Sequence, residues 1–125
     1  MTKAEIGKLG EDTAAKYLKK NGYKIIDRNK HQSHNEIDII ATDKNYIVFV
    51  EVKTRTTGKD LYSMYGTPGS AVDYAKQQRT VSAASAYLSQ HFTEKQPRFD
   101  VIEIYLDKCT FEILNLNHII NAYGA

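Results

Sequence analysis

Three charged residues sit where the surrounding sequence asks for burial. The run Glu36-Ile37-Asp38-Ile39-Ile40-Ala41-Thr42 is followed by Asp43-Lys44-Asn45 and then by Tyr46-Ile47-Val48-Phe49-Val50-Glu51-Val52-Lys53-Thr54-Arg55. Two stretches rich in Ile, Val and Phe around a short polar break predict an antiparallel hairpin. Asp38 in the first strand, with Glu51 and Lys53 in the second, then have a chemistry in common. Two carboxylates drawn close hold a divalent cation, and an ammonium beside them stabilises charge that grows on a phosphoryl group. That set suits phosphodiester hydrolysis, with the cation polarising a phosphoryl oxygen and lowering the pKa of a water. Oxygen ligands without a Cys or His cluster favour Mg²⁺ or Mn²⁺ over Zn²⁺.

The arrangement depends on register. If Lys44 and Asn45 form a two-residue turn, Asp43 pairs with Tyr46, Asp38 lies opposite Glu51, and Glu36 lies opposite Lys53. Directly opposed residues have Cβ atoms about 4.5–5.5 Å apart, close enough for a shared ion. A three-residue loop without a bulge would pair Asp38 with Val50 and send the two acids to opposite faces. Strict alternation puts Glu36 and Asp38 on the face of Ile40, and Glu51 and Lys53 on the face of Phe49 and Arg55. A plainer alternative is a cross-strand ion pair between Glu36 and Lys53 with Asp38 solvated.

With these residues in view, the chain shows a resemblance. Asp38 followed by Glu51-Val52-Lys53 resembles the Asp…Glu-x-Lys core of the PD-(D/E)XK nuclease superfamily. Asn35-Glu36-Ile37-Asp38-Ile39-Ile40-Ala41, Phe49 to Arg55, and Arg98-Phe99-Asp100-Val101 are similar to the small bacterial YraN-like family, itself similar to archaeal Holliday-junction resolvases. The match runs in order from near Gly7 to about Ile104. Asn35 stands where that family usually has Gly, and Asn tolerates positive φ better than most residues. The resemblance implies a restriction-endonuclease-like mixed α/β sheet flanked by helices, Mg²⁺ or Mn²⁺ as cofactor, and DNA, branched DNA included, as partner. It also suggests a symmetric homodimer, because a four-way junction needs paired cuts, although no dimer surface is legible in the sequence.

The elements that must position these groups follow. Thr2 to Asn21 reads as a helix, with Thr2 and Glu5 as a capping box and Gly22 as its stop. Ile6, Gly7, Gly10, Ala14, Ala15, Tyr17 and Leu18 share one arc with Glu11, an acid on an otherwise apolar face. The resolvase-like relatives place a helical Glu at the metal site, and Glu11 matches it in order. Otherwise Glu11 snorkels from the edge of the face. Gly7 and Gly10 weaken the helix and suggest close packing against the sheet.

Tyr23 to Arg28 reads as a short strand and residues 29–35 as a polar loop. His31 and His34 in that loop lack a helix and a third ligand, so a solvated or phosphate-facing role is expected rather than zinc. Residues 56–69 form a long connection carrying Lys59, Tyr62 and Tyr65. A second helix is predicted over Ser70 to Phe92, capped by Ser70, with Tyr74, Ala75, Gln78, Val81, Ser82, Ser85, Leu88 and Phe92 facing inward. Arg55, Lys59, Lys76 and Arg79 are the expected nucleic-acid contacts. Strands follow over Arg98 to Leu106 and Phe111 to Leu116, then a tail over residues 117–125 that has room for one helical turn. Asp100 is expected to be structural.

Composition bounds the rest. A chain of 125 residues is expected to be one domain, and 42% hydrophobic residues with mixed charges suit an ordinary globular core. A net charge of +2 is too small to identify a nucleic-acid partner by itself. One cysteine permits no internal disulfide, so a reducing cytoplasm is expected, and no apolar run suggests a membrane span. The predicted order is α-β-β-β-α-β-β. Glu11, Asp38, Glu51 and Lys53 form the expected catalytic set, with Asp38 and Glu51 as metal ligands. Two other readings remain open: a nucleic-acid-binding protein that keeps the nuclease fold without turnover, and a scaffold in which these charges are only ion pairs.

Overall fold

The computed structural model describes residues 1–32, 34–57 and 73–124. Its elements are α1 (Lys3–Lys20), β1 (Lys24–Gln32), β2 (Asn35–Thr42), β3 (Tyr46–Thr57), α2 (Tyr74–Gln90), β4 (Gln96–Asp107) and β5 (Ile113–Tyr123). The strands form one mixed sheet in the order β1-β2-β3-β4-β5. All neighbours are antiparallel except β3 and β4, which run parallel and are joined through α2. A parallel pair needs such a crossover. Neither described helix is long and apolar enough to cross a membrane.

Each helix covers one face. Ala14, Ala15 and Leu18 of α1 bury against Ile39, Ala41, Val48, Val50, Ile102, Ile104 and Leu106. On the other face Ala83, Ala84 and Tyr87 of α2 meet Ile37, Ile40, Ile47, Phe49 and Phe99. Both faces of β3 and β4 are thus covered, which is why Ile47 to Val50 and Val101 to Leu106 are apolar almost without interruption.

The start of α1 is the predicted capping box: Thr2 Oγ1 accepts from the Glu5 amide at 3.1 Å, and Glu5 Oε1 accepts from the Thr2 amide at 2.8 Å. Gly22, at φ +89°, turns the chain after it. A Cβ on Gly10 would overlap the Thr54 side chain of β3, so that glycine is needed for close approach. Gly7 is different, since a Cβ there would meet nothing within 4 Å.

Several expectations are corrected. The first strand extends to Gln32 and pairs directly with β2, His31 opposite Glu36, so most of the predicted polar loop is ladder. Within that turn His34 takes positive φ, 67°, and Asn35 already belongs to β2. The second helix begins at Tyr74 with Asp73 as its cap, the Asp73 carboxylate accepting from the Lys76 amide at 2.8 Å; Ser70 lies outside the described residues. Its buried face carries Thr80, Ala83, Ala84 and Tyr87, while Tyr74 and Phe92 are 73% and 89% exposed and Gln78, Ser82 and Ser85 face outward. Small residues let the helix lie close to the sheet, so its inner stripe holds little of the bulk that marks an apolar face in sequence. The tail is strand as far as Tyr123, in place of the one helical turn expected there.

Candidate metal centre

The hairpin turn sets the register as predicted. The Asp43 amide donates to the Tyr46 carbonyl at 3.1 Å, and Thr42, Ala41, Ile40 and Ile39 pair with Ile47, Val48, Phe49 and Val50. The β2–β3 ladder ends at Ile39 and Val50. One residue further the strands part, and Asp38 fills the opening: its Oδ2 accepts from the Val52 amide at 2.8 Å. A side chain thus takes the place of a backbone acceptor where the sheet splits.

Alternation breaks at the same point. Ile37 and Ile40 both pack against α2, although residues three apart should face opposite ways. The strand changes its facing between them. Glu36 and Asp38 therefore do not share the face of Ile40; they meet Glu11 of α1. One ligand oxygen from each of Glu11, Glu36 and Asp38 lies within 4.8 Å of the others. The expected pairing of Glu36 with Lys53 is absent, because Glu36 instead approaches His31 at 3.2 Å.

Glu51 lies on the α2 side with Phe49, as alternation predicts, and is only 6% exposed. Its Oε1 is 3.4 Å from Lys53 Nζ and 3.7 Å from Lys76 Nζ. Lys76, expected as a phosphate contact on the helix surface, is half-buried at this acid. Arg79 is exposed on α2, Arg55 is half-buried near the end of β3, and Lys59 lies outside the described residues.

Asp38 is the electrostatic centre. Burial, then the neighbouring Glu51 carboxylate, push its pKa up to about 7; Glu11 adds to this, while the Val52 amide and Lys76 act against it. Burial also raises Glu11, partly offset by Arg28 at 3.8 Å. An acid whose charge is opposed by so many neighbours either keeps a proton or takes a cation. The oxygen-only donor set fits a hard divalent ion. The cluster differs from the expected ligand pair of Asp38 and Glu51: Glu36, read in the sequence as a partner for Lys53, joins Asp38 and Glu11, and Glu51 lies outside it. The signal was present in two acids at i and i+2 of one strand, with a helical Glu ahead of them.

A second constellation was also hidden. Asp100, fully buried in β4, accepts from Arg98 Nε at 2.9 Å and Arg98 Nη2 at 2.8 Å, and from the Asn121 amide at 3.0 Å. His118 Nε2 lies 2.7 Å from it, and His118 Nδ1 is 2.9 Å from the Tyr17 hydroxyl. Arg98 Nη2 also donates to the Tyr23 hydroxyl at 2.7 Å, and its guanidinium lies over the Tyr46 ring. This network ties α1, β3, β4, β5 and the residue before β1 together, the structural role expected of Asp100.

Comparison with known proteins agrees with the covered length. Residues 10–104 match the sequence profile described as Uncharacterised protein family UPF0102. A UPF0102 protein of Caldanaerobacter subterraneus subsp. tengcongensis is 47% identical over 124 residues, covering 98% of each chain. One from Symbiobacterium thermophilum is 48% identical over 100 residues, 79% of this chain and 80% of the relative. A third, from Caldicellulosiruptor saccharolyticus, is 40% identical over 124 residues and is covered completely. A match spanning helix α1, the parted strands and most of β4 makes this chain a member of the UPF0102 family.

Proposed function

We propose that this protein is a metal-dependent DNA endonuclease acting on branched substrates such as four-way junctions. The observation that carries the reading is Asp38, a half-buried carboxyl set in a split between two strands and crowded by Glu11, Glu36 and Glu51. The resemblance of Asp38, Glu51-Val52-Lys53 and the helical Glu11 to the PD-(D/E)XK pattern supports the same reading. Asp38, with Glu11 and Glu36, would hold Mg²⁺ or Mn²⁺, while Glu51 acts on Asp38 through its charge. When bound, that ion polarises a phosphoryl oxygen and lowers the pKa of a water.

The chain's own residues do the rest. Lys53 places an ammonium beside Glu51, where it stabilises charge developing on a phosphoryl group. Glu11, raised by burial, is a stronger base than an ordinary carboxylate and is suited to accept a proton from an attacking water. The Val52 amide fixes the Asp38 carboxylate against rotation.

The test is cleavage of a labelled synthetic four-way junction in Mg²⁺ and in Mn²⁺, comparing wild type with Asp38→Asn and Glu51→Gln. Both substitutions should reduce the rate at least about a hundredfold, in line with losing a principal electrostatic group. Cleavage that persists in Asp38→Asn overturns the reading. One observation favours an alternative: Glu51 already carries Lys53 and Lys76 as internal counter-ions. A protein that binds DNA without cutting it would show a steep salt dependence and no product at any metal concentration.

A further inference from the structure

A cleft of about 640 Å³ opens beside Glu11 and is lined by Ala4, Gly7, Lys8, Glu11, Arg28 and Asn29. Two of these residues are poor choices for their local structure. Gly7 lies within α1, where Ala would be a better helix former, and nothing packs where its Cβ would be. Asn29 lies inside β1 yet has φ +51°, a conformation foreign to a strand. Packing accounts for the glycine at position 10 but not for the one at position 7. What Gly7 does is leave the helix surface bare at the floor of the cleft.

The cleft carries two cations, Lys8 and Arg28, that share Asp12, and Arg28 also lies 3.8 Å from Glu11. Asp12 Oδ2 lies 3.1 Å from Lys8 Nζ, and its Oδ1 accepts from Arg28 Nη2 at 2.8 Å. Asp12 is half-exposed, as is Arg28, so a ligand from solvent can compete with it for both cations. Arg28 Nε has no hydrogen-bond partner, so the guanidinium is not fully used by the protein. One carboxylate bridging two cations is the place a phosphate diester would take.

We propose that this cleft receives the sugar-phosphate backbone of the nucleic acid next to the cut site, with Lys8 and Arg28 as phosphate contacts that Asp12 occupies until the strand arrives. The inference rests on the reading of the acidic centre as a nuclease site and adds the path by which a strand reaches it. The bare surface at Gly7 admits the backbone, and Glu11 lies at the inner end of the channel.

The test measures binding of a labelled four-way junction in Ca²⁺, together with Mn²⁺ affinity, for wild type, Gly7→Leu and Asp12→Asn. Gly7→Leu fills the cleft from an open position. It should weaken junction binding at least about tenfold while Mn²⁺ affinity and the melting temperature are held. Asp12→Asn frees Lys8 and leaves Arg28 only the more distant Glu11 carboxylate, and should tighten binding several-fold with a steeper salt slope. Wild-type affinity in folded Gly7→Leu, or unchanged affinity in Asp12→Asn, overturns the channel while leaving the metal centre intact. Loss of cleavage dependence on Asp38, with both binding effects present, instead overturns the nuclease reading and keeps the channel. Absence of junction binding by the wild type overturns both.

Discussion

Asp38 and Asp100 are two aspartates withdrawn from water in neighbouring parts of one sheet, and they are treated in opposite ways. Burial drives Asp100 upward, but hydrogen bonds from His118, Arg98 and the Asn121 amide outweigh it and hold the carboxyl below its usual range. At Asp38 burial is reinforced by Glu51 and Glu11, and the Val52 amide and Lys76 do not offset it. A structural carboxylate brings its cation with it in the sequence, as Arg98 does two residues away. Asp38 has acids for close neighbours instead, and Lys76, the cation that opposes them, does not outweigh them. The contrast separates a carboxylate that holds the fold together from one whose charge the fold disfavours.

The contrast is most directly broken by substitution. Asp100→Ala strands the Arg98 guanidinium among buried groups and should cost about 3–5 kcal/mol in urea unfolding. Asp38→Asn keeps an acceptor for the Val52 amide and removes a disfavoured charge, so without metal it should be at least as stable as wild type at neutral pH. Comparable losses from both would erase the distinction.

Acid titration sharpens it, because the two groups act with opposite sign. A carboxyl raised to about 7 in the folded state favours folding while protonated, so its contribution is full below about pH 4 and is lost as pH rises to about 7. From that pKa the loss is about 4 kcal/mol, seen as a fall in metal-free stability across this window that Asp38→Asn abolishes. Asp100 is depressed, so its contribution is present above the unfolded carboxylate pKa and disappears as pH falls through its folded value. A stability profile flat between pH 4 and 7 in metal-free wild type would count against the account of Asp38.

Metal titration is the next largest effect. At one hundred times its dissociation constant Mn²⁺ should stabilise the wild type by about 2.7 kcal/mol, with proton release near pH 7, and should leave Asp38→Asn unmoved. The smallest effect belongs to Lys76. Lys76→Gln removes a cation that opposes the rise of Asp38, so an NMR titration should find the Asp38 midpoint shifted upward from wild type. A downward shift would mean that Lys76 acts on Asp38 some other way.

Much of this was legible in the sequence where the signal is local. The Thr2-Glu5 box, the Lys44-Asn45 turn and the alternation through Phe49, Glu51 and Lys53 each depend on a few adjacent residues, and all three are present. The facing change around Asp38 was not legible, since counting by twos assumes an unbroken strand and no Gly or Pro marks the slip. The inner face of α2 was misread because Thr80, Ala83 and Ala84 bury little bulk, whereas the larger Tyr74 and Phe92 are left in solvent. The Asp100 network depends on His118, which lies in a stretch with no strand-like alternation. Its place is set by pairing with β4, a contact that no window of sequence contains.

β3 has two neighbours that come to it from very different distances along the chain. Val50 meets Ile39 across a two-residue turn, but meets Asp100 only about fifty residues later, after the whole α2 crossover. Closing the short hairpin costs far less chain entropy, so β2 and β3 should associate first during folding. The crowded carboxylates are then assembled before Lys76 or β4 arrives, and pulsed amide exchange should find Val48 and Val50 protected ahead of Val101. A proton or a cation that quiets Asp38 at that stage would speed the folding step itself, so the refolding rate should depend on pH through the same carboxyl.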